Sequence, residues 1–326
     1  MDSPNHLSTP APDLKELCIW IFHDARAGHL SQLQGLSMRL QSHQNCKIKW
    51  FDIHQQGLGL SQLFSMRASL TQLDKPDLIL GAGHRTHLSV LIAGFKFKAF
   101  TSIIMKPSLP ICLFNSVICP QHDMLKDSKK VFTTFGPINK IDKTKRSDSP
   151  KDRTKNLILL GGSSKHFQFE SDRLIRQIIE ICKENSNQQW ILSNSPRTPP
   201  ATNLALEQLE LPNLTIYDYQ NSRLGSLQDL LLETKFTWIT PDSMSMIFEA
   251  LTAGVKVGLF ECKPKKPTHI TKQVKQLIDE AYVIDFAHHM QNMPEPVKET
   301  PWEADRAATW LLSLLNSTAA PNQKAR

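Results

Sequence analysis

Chemistry in this sequence could reside in five short segments, each of which follows an apolar stretch. In the segment HDARAGHL, Asp24, Arg26 and Gly28 precede His29. A histidine has a pKa suited to general-base work, and Gly28 would permit a tight turn whose backbone amides bind an anion or hold a reacting hydroxyl. We therefore predict a general base at His29, with the other three residues on the acceptor or phosphate side. A histidine that only satisfies a turn is the alternative interpretation.

A second polar pair, His84 and Arg85, follows the apolar stretch DLILGAG. Cationic groups at the end of a buried strand could bind a phosphate. The alternative is an exposed pair of loop residues without a ligand.

Two loops in the second half of the chain carry residue types that bind a diphosphate. GGSSKHFQFE begins with Gly161 and Gly162, which would let backbone amides approach a diphosphate, and Ser163 adds a hydroxyl donor. SNSPRTPP contributes Ser195 and the fork-shaped donor of Arg197. The spacing fits neither a Walker loop nor a dinucleotide-binding G-x-G-x-x-G loop, which argues against ATPase or GTPase chemistry. Simple turns after strands are the alternative.

The segment TPDSMSMIFEALTAG runs from an apolar strand through a serine-rich turn into a helix. We expect Asp242, Ser243, Met244 and Ser245 to form the mouth of that helix, where free amides and the helix dipole attract a negative group. Glu249, one turn further, could accept both hydroxyls of a ribose. A glutamate early in a helix also complements the helix dipole without any ligand.

Alternating strand and helix patterns must position these segments. Buried-strand stretches alternate with helical spacings, such as Leu33, Leu36 and Leu40, and with a helix around 60–73. The pattern predicts an α/β fold with two doubly wound Rossmann-like domains that face each other across a cleft. The predicted division is a disordered leader (1–16), an N-terminal domain (17–140), a linker (141–155), a C-terminal domain (156–300) and a helix that crosses back to the first domain (301–326).

Composition and charge narrow the class of protein. The 326 residues are 40% hydrophobic and 21% charged, which is ordinary for a globular chain. The formal net charge of +7 favours anionic partners, but nucleic acid is not expected because no RNP, zinc-finger or helix-turn-helix pattern occurs. Six cysteines without a C-x-x-C pair fit free thiols in a reducing compartment. We expect a cytoplasmic location, since the sequence shows no secretion signal and no stretch that spans a bilayer.

Taken in order, D-A-R-A-G-H-L, G-G-S-S-K-H-F, S-N-S-P-R-T-P and P-D-S-M-S-M-I-F-E-A-L-T-A-G resemble a glycosyltransferase-like family that includes the plant mitochondrial fission ELM-type proteins and many bacterial relatives. The resemblance spans nearly the whole chain and implies a GT-B fold, with the acceptor and a base in the first domain and a nucleotide-sugar donor in the second. His29 matches the histidine of the first loop, and Glu249 matches the ribose-binding acidic residue. Ser243 and Ser245 match the phosphate-binding turn.

The expected function is therefore a glycosyltransferase that uses a nucleotide-diphosphate sugar and a glycan or lipid-linked acceptor. The resemblance implies no cofactor and no metal, because the helix dipole and basic side chains stabilise the leaving diphosphate. Two alternatives remain open: a non-catalytic nucleotide-binding adaptor that acts at membranes, and a nucleotide-sugar epimerase. The segment 93–105 pairs aromatic and basic groups, which suggests peripheral contact with the inner face of an anionic membrane, although a core helix and strand explain the same pattern.

Overall fold

The structure is a computed structural model that describes residues 16–54, 74–146, 153–219, 226–288 and 302–319. Its chain divides into two compact units. The described residues of the first unit are 16–54, 74–118, 128–132 and 307–319, and those of the second are 119–127, 133–146, 153–219, 226–288 and 302–306.

The first unit is built on a six-stranded sheet with the strand order β2-β1-β3-β4-β5-β6, in which neighbouring strands from β2 to β5 run parallel. The strands are β1 (Leu17–His23), β2 (Cys46–Asp52), β3 (Leu78–Ala82), β4 (Phe100–Ile104), β5 (Ser116–Pro120) and β6 (Val131–Thr134). Helix α1 (Ala27–His43) follows β1, and α2 (His87–Phe97) follows β3.

The core of the first unit forms around β1, an interior strand that is apolar on both faces. Residues 17–22 of β1 are all buried, and Trp20 packs its ring against Phe51 at 5.1 Å and Phe97 at 4.9 Å between ring centroids. The three leucines of α1 predicted to face the core, Leu33, Leu36 and Leu40, are fully buried. Burial of each such side chain contributes about 1.5–3 kcal/mol, and this anchors the loop between β1 and α1 at its two ends.

The second unit repeats this design with the strand order β12-β11-β10-β7-β8-β9, and all its strand pairs are parallel. Its strands are β7 (Lys155–Leu159), β8 (Trp190–Ser193), β9 (Leu214–Tyr217), β10 (Thr234–Ile239), β11 (Lys256–Leu259) and β12 (Ile284–Asp285). Its helices are α3 (Ser171–Glu184), α4 (Pro200–Glu207), α5 (Leu227–Leu232), α6 (Met244–Thr252) and α7 (His269–Asp279).

Successive residues at the end of β7 and just after it show why this sheet is covered on both faces. Leu157 and Leu159 belong to one buried apolar cluster, whereas Ile158 and Leu160 belong to another. Because side chains alternate between the faces of a strand, an uninterrupted apolar run supplies a core to each face. The α/β fold class with two Rossmann-like units is therefore confirmed.

The units differ from the predicted domains in where the chain changes from one to the other. The first change falls after Ile118, and the segment placed in a linker is partly integral to the second unit. Ile141 is 1% exposed in a core cluster of that unit, and its carbonyl accepts a hydrogen bond from Trp302 Nε1 at 3.1 Å. Ile141 lies among charged residues in the sequence, which is why this segment was predicted to be a linker. The last helix, α8 (Glu303–Ala319), begins in the second unit, and from Ala307 onwards it belongs to the first.

Several short elements were not predicted, namely β5, β6, α4 and β12. Each is eight residues or fewer. The predicted leader, the helix around 60–73 and the middle of the predicted linker lie outside the described residues. Among the described helices, none combines the length and apolar character needed to cross a membrane.

Candidate functional site

In the second unit, the loops after β7, β8 and β10 are joined by hydrogen bonds at one edge of the sheet. The amide of Gly161 donates to Thr240 Oγ1 at 2.7 Å, and the amide of Gly162 donates to Asp242 Oδ2 at 3.0 Å. The amide of Ser163 donates to the carbonyl of Arg197 at 3.2 Å. We call this arrangement, defined by residues 161–163, 195–198 and 240–245, the glycine-serine site. It brings together the predicted diphosphate-binding residues of three separate segments.

Gly162 is required here by a close approach of two backbones. A Cβ at this position would lie 2.7 Å from the amide nitrogen of Thr198 and closer still to the carbonyl of Arg197. Backbone atoms cannot rotate away as a flexible side chain can, so any larger residue would separate the loops. The paired glycines thus let the loops after β7 and β8 pack directly on each other.

Two hydroxyl groups stabilise the contact between the loops after β7 and β8. Ser195 Oγ and Thr198 Oγ1 both donate to the carbonyl of Gly161, at 2.7 and 2.6 Å. Ser195 was predicted to bind the nucleotide-sugar, but its hydroxyl proton is used inside the protein and the residue is only 5% exposed. Thr198 and Thr240 were not predicted, because single threonines near turns carry no distinguishing sequence signal.

Asp242 and Arg197 form the charged centre of the glycine-serine site. Arg197 Nη1 lies 2.9 Å from Asp242 Oδ2, and the exposed fractions of their side chains are 46% and 2%. Burial raises the pKa of Asp242 above its usual value, although Thr240, the Gly162 amide and Arg197 each act to lower it. Because its side chain is half-exposed and its contact with Asp242 is through Nη1, Arg197 can neutralise a buried carboxylate and still present donors to a ligand.

The N-terminus of α6 adds backbone donors to the same site. Ser243 is the N-cap residue, but its side chain does not cap the helix, and the first turn contains no acidic residue. Uncapped amides at a helix N-terminus and the helix dipole both favour an anion. Of the predicted residues of this turn, Ser245 is exposed, whereas Ser243 and Met244 are each 7% exposed.

Glu249 lies further along α6 and is 6% exposed. A ligand that used this carboxylate would have to enter the buried space between α6 and its neighbours. The predicted contact between Glu249 and a ribose therefore stays a prediction.

In the first unit, the loop after β1 forms a histidine-aspartate pair. His29 Nδ1 lies 2.8 Å from Asp24 Oδ1, and the exposed fractions of the two side chains are 15% and 0%. The amide of Arg26 also donates to Asp24 Oδ1 at 3.3 Å, and Arg26 Nε lies 3.6 Å from Oδ2. Burial alone would raise the pKa of Asp24, but His29 and Arg26 outweigh burial and lower it.

This pairing fixes which imidazole nitrogen can act as a base. An ionised carboxylate can only accept hydrogen bonds, so the hydrogen of a neutral His29 must sit on Nδ1. Nε2 is then left with a lone pair that can take a proton from a substrate hydroxyl. Both residues were predicted from the sequence but their pairing was not, although a strand-end aspartate five residues before a histidine could have suggested it.

The tight turn of this loop lies at Ala25 and not at Gly28, where it was predicted. Ala25 has a positive φ of 57°, whereas Gly28 is already inside α1 and a Cβ there would meet nothing within 4 Å. The glycine that the packing of His29 requires is Gly83, which follows β3. Its φ is 85°, and a Cβ there would lie 2.6 Å from Nδ1 of His29, so the imidazole packs directly against this backbone.

His84 and Arg85 follow Gly83 in a short 3-10 turn and are both exposed. Arg85 Nη1 lies 3.4 Å from Nε2 of His54, which follows β2. The strand ends of β1, β2 and β3 thus gather Asp24, His29, His54 and Arg85 at one edge of the first sheet. Within the described residues, no group of three or more His, Cys, Asp and Glu side chains could hold a metal ion.

Comparisons with known proteins agree with this architecture. A family model described as mitochondrial fission ELM1 matches residues 27–315. An uncharacterised protein of Rickettsia prowazekii is 24% identical in an alignment of 307 positions, and the match covers 74% of this chain and 82% of that protein.

Two solved structures are similar over almost the whole chain. A structure described as a UDP-N-acetylglucosamine 2-epimerase of Listeria monocytogenes has a TM-score of 0.63 and 14% identity, covering 94% of this chain and 97% of that one. A UDP-glucosyltransferase of Polygonum tinctorium has a TM-score of 0.50 and 11% identity, covering 96% and 95%. At these identities the likeness establishes the fold, which is that of GT-B glycosyltransferases and related epimerases.

Proposed function

Because the chain belongs to the mitochondrial fission ELM1 family and has a GT-B fold, we propose that it is a glycosyltransferase that takes its sugar from a nucleotide-diphosphate donor. The observation that carries this proposal is the glycine-serine site. Three loops there converge on backbone amides, a half-exposed arginine and an uncapped helix N-terminus. These are the donors that bind a diphosphate, and the named similar structures act on UDP-sugars.

In the proposed reaction the acceptor hydroxyl attacks the anomeric carbon of the donor sugar. Its proton passes to Nε2 of His29 as the new carbon–oxygen bond forms. The bond between the anomeric carbon and the diphosphate oxygen breaks, and the nucleoside diphosphate leaves with the bonding electrons. Arg197 and the N-terminus of α6 stabilise the negative charge that develops on this leaving group, without a metal or cofactor. Asp24 stabilises the imidazolium that results.

Calorimetry with a panel of UDP-, GDP-, CMP- and ADP-sugars, followed by a transfer assay, tests the proposal. Replacing Arg197 with Ala should weaken the affinity for the matching donor by about 10-fold or more, because a charge-assisted hydrogen bond is lost. The control is Arg176→Ala on the exposed side of α3, which should keep the wild-type affinity. If no panel member binds, or if both variants bind equally well, the donor site is wrong.

His29→Ala separates the base from the donor site. General-base catalysis contributes about 10²- to 10⁴-fold, so turnover should fall by that factor while donor affinity stays within about twofold. An equal loss of turnover and affinity would contradict the base role. Release of a free sugar or its 2-epimer would instead favour the epimerase, which the similarity to the Listeria structure makes a specific alternative. Binding without turnover would favour a membrane adaptor.

We also propose that the acceptor is lipid-linked and that the protein, in the cytoplasm, contacts an anionic membrane through α2. Phe95 is 90% exposed and Leu88 is 47% exposed, seven residues apart and thus on one side of the helix. Phe97 instead packs inward on Trp20, so the aromatic segment 93–105 is only partly a surface. Between Asp77 and Asp123 the sequence contains no carboxylate, and Lys96 and Lys98 are exposed beside Phe95.

An exposed apolar side chain next to two exposed lysines suits an anionic bilayer better than a neutral one. Flotation with phosphatidylglycerol vesicles should therefore recover the wild-type protein, and flotation with phosphatidylcholine alone should recover much less. Phe95→Ser, and Lys96→Glu combined with Lys98→Glu, should each reduce the recovered fraction several-fold. Leu204→Ser is the matched control, because Leu204 is 60% exposed on α4 of the second unit. Recovery unaffected by the α2 changes would refute this contact.

A further inference from the structure

A cavity of about 390 Å³ lies in the second unit, between α7 and the ends of β11 and β12. Its interior is formed by aromatic and aliphatic side chains, namely Phe167, Phe260, Val274, Ile278 and Phe286. All of these except Ile278 are at most 8% exposed. Sites for small molecules have volumes of about 300–1,000 Å³ and are mostly apolar, with a few polar groups that orient the ligand. We call this cavity the α7 pocket.

The α7 pocket lies at the same edge of the sheet as the glycine-serine site. Phe260 directly follows β11 and Phe286 directly follows β12, so both lie at the carboxyl ends of their strands. Pro241 contributes to the wall of the pocket and also belongs to the loop after β10 that supplies Asp242 to the glycine-serine site. In open α/β sheets, ligands bind outside the carboxyl ends of the strands. The pocket therefore adjoins the site proposed for the diphosphate.

Cys262 supports this proximity. Its side chain lines the α7 pocket, and burial raises the pKa of the thiol to about 12, with the carboxylate of Asp242 adding to the rise. A carboxylate shifts the pKa of another group in this way only when the two lie close together. The thiol also stays protonated at neutral pH, so this part of the wall is uncharged.

Hydrogen bonds hold two walls of the pocket in place. The side chain of Gln177, on α3, accepts from the amide of Glu261 at 2.8 Å and donates to its carbonyl at 3.2 Å. The amide of Gln168 donates to the carbonyl of Lys263 at 2.8 Å, which joins the loop that carries Phe167 to the loop after β11. A ligand thus meets walls that are already in place, which reduces the entropy lost on binding.

Three carboxylates line the α7 pocket together with its apolar side chains. Each forms a pair with a basic side chain: Glu261 with Arg173, Asp279 with Lys275, and Asp285 with His288. A carboxylate has about four acceptor positions, so such a pair leaves lone pairs for further donors. A hydroxyl group can donate to them, whereas a phosphate oxygen cannot. The carboxylates therefore suit a neutral, hydroxylated ligand.

From the cavity, its position and its polar groups we infer that the α7 pocket binds the sugar of the donor and selects a sugar with an apolar substituent, such as an N-acetyl group. The inference rests on the proposed function and names its substrate class. The diphosphate stays in the glycine-serine site, and the sugar extends past Pro241 into the pocket. Its hydroxyls donate to the carboxylates, and its substituent packs among the phenylalanine rings.

The apolar interior is the reason for expecting a substituent. A plain hexose carries hydroxyl groups around its ring, and burying a hydroxyl among phenylalanine and valine side chains without a partner is unfavourable. Burying a methyl group in the same place is favourable. An N-acetyl group ends in a methyl group and leaves the other hydroxyls free to donate to the carboxylates.

Calorimetry of the full chain with UDP, UDP-glucose and UDP-N-acetylglucosamine tests this selection. The two sugars differ only in the group on C2, so UDP-N-acetylglucosamine should bind about 10-fold more tightly than UDP-glucose. If UDP itself does not bind, the proposed donor site fails, and this inference fails with it. If UDP binds but the two UDP-sugars bind equally well, only this inference is overturned.

Ile278→Ser tests whether the α7 pocket is the part of the protein that discriminates. The variant should bind UDP-N-acetylglucosamine about 10-fold more weakly, because apolar contact is lost, and should bind UDP with an affinity within about twofold of the wild type. Ile175→Ser is the matched control, since both isoleucines are half-buried on helices of the second unit and pack against its core, but Ile175 does not line the pocket. Equal binding by both variants would overturn the inference. A loss of UDP affinity in Ile278→Ser would overturn it too, by placing the nucleoside in the pocket.

Ala287→Trp tests the same pocket without removing a core contact. Ala287 lines the pocket and is exposed, so an indole there should occupy the space of the sugar and leave folding intact. Affinity for UDP-N-acetylglucosamine should fall by about 10-fold or more, with UDP affinity unchanged. Ala201→Trp, at an exposed position on α4, should bind both ligands as the wild type does. A harmless Ala287→Trp would contradict occupation of the pocket.

Methyl NMR locates the sugar directly. The methyl resonances of Val274 and Ile278 should shift on addition of UDP-N-acetylglucosamine and stay in place with UDP. Those of Ile175 should stay in place with both ligands. If UDP-N-acetylglucosamine binds but leaves the methyl resonances of the pocket unchanged, the sugar lies elsewhere and the inference is wrong.

Discussion

At the scale of single residues, Asp24 determines that the ring proton of a neutral His29 lies on Nδ1. Its carboxylate is wholly buried, accepts from His29 and from the amide of Arg26, and lies near the guanidinium of Arg26. These partners lower its pKa even though burial acts in the other direction. A buried charge is tolerated here because each of its partners favours the ionised form.

Asp24→Asn tests this at neutral and acid pH. The amide keeps the shape but cannot balance an imidazolium, so turnover should fall by about 10²-fold or more. The lost interactions should lower the free energy of unfolding by about 2 kcal/mol at pH 7. Because the folded-state pKa of Asp24 is lowered, its contribution exists above the unfolded-state pKa and disappears as the pH falls through the folded-state value.

Urea unfolding at pH 7, 5 and 3 measures that difference. The wild type and the variant should differ equally at pH 7 and 5 and should converge towards pH 3. A gap that stayed constant down to pH 3 would show that Asp24 acts through its shape alone.

At the scale of elements, repeating hydrophobic patterns could be predicted from the sequence. Features that depend on contacts between residues distant in the sequence could not. The structure confirms two patterns that are recognisable in the sequence. They are the helical spacing of the leucines in α1 and the continuous apolar runs of β1 and β7. The strands β5 and β6 were not predicted, and Ile141 is buried although the charges around it in the sequence suggest a linker. Such features are fixed by neighbours that are distant in the sequence.

The same division holds for the candidate sites. The sequence identified the loops after β7, β8 and β10, because glycine, serine and arginine at strand ends are recognisable. Two contacts could not be predicted from the sequence. The Ser195 hydroxyl donates a hydrogen bond to the carbonyl of Gly161, and the ring of His29 packs against the backbone of Gly83. A hydrogen bond between two loops is a property of the packed sheet and leaves no pattern along the chain.

Gly162→Ala tests the close approach that joins the loops after β7 and β8. The added methyl group would press on the backbone of Arg197 and Thr198, which should cost about 1–3 kcal/mol of unfolding free energy and weaken donor binding. Gly28→Ala is the matched control. A methyl group there meets nothing, and removing a helical glycine should stabilise α1 by up to about 1 kcal/mol. Thermal unfolding compares the two, and a harmless Gly162→Ala would disprove the tight packing.

At the scale of the whole molecule, the chain contains two units, each with its own sheet and core. The proposed donor site belongs to the second unit, whereas the histidine-aspartate pair and the exposed face of α2 belong to the first. In the proposed reaction the second unit binds the donor and the first unit supplies the base. A ligand that occupies only the donor site should therefore protect only the second unit from hydrogen exchange.

Hydrogen exchange of the full chain with and without UDP tests this assignment. At a ligand concentration of about 100 times the dissociation constant, binding stabilises the bound state by about 2.7 kcal/mol, which slows exchange wherever local opening breaks the site. Protection should appear in peptides that cover 160–166, 195–199 and 240–248. Peptides that cover 17–30 should exchange as before. With a 10-fold lower affinity, Arg197→Ala should keep only about half of this stabilisation, about 1.4 kcal/mol, at the same UDP concentration. Protection confined to 17–30 would move the donor site to the first unit and overturn the proposed roles of both units.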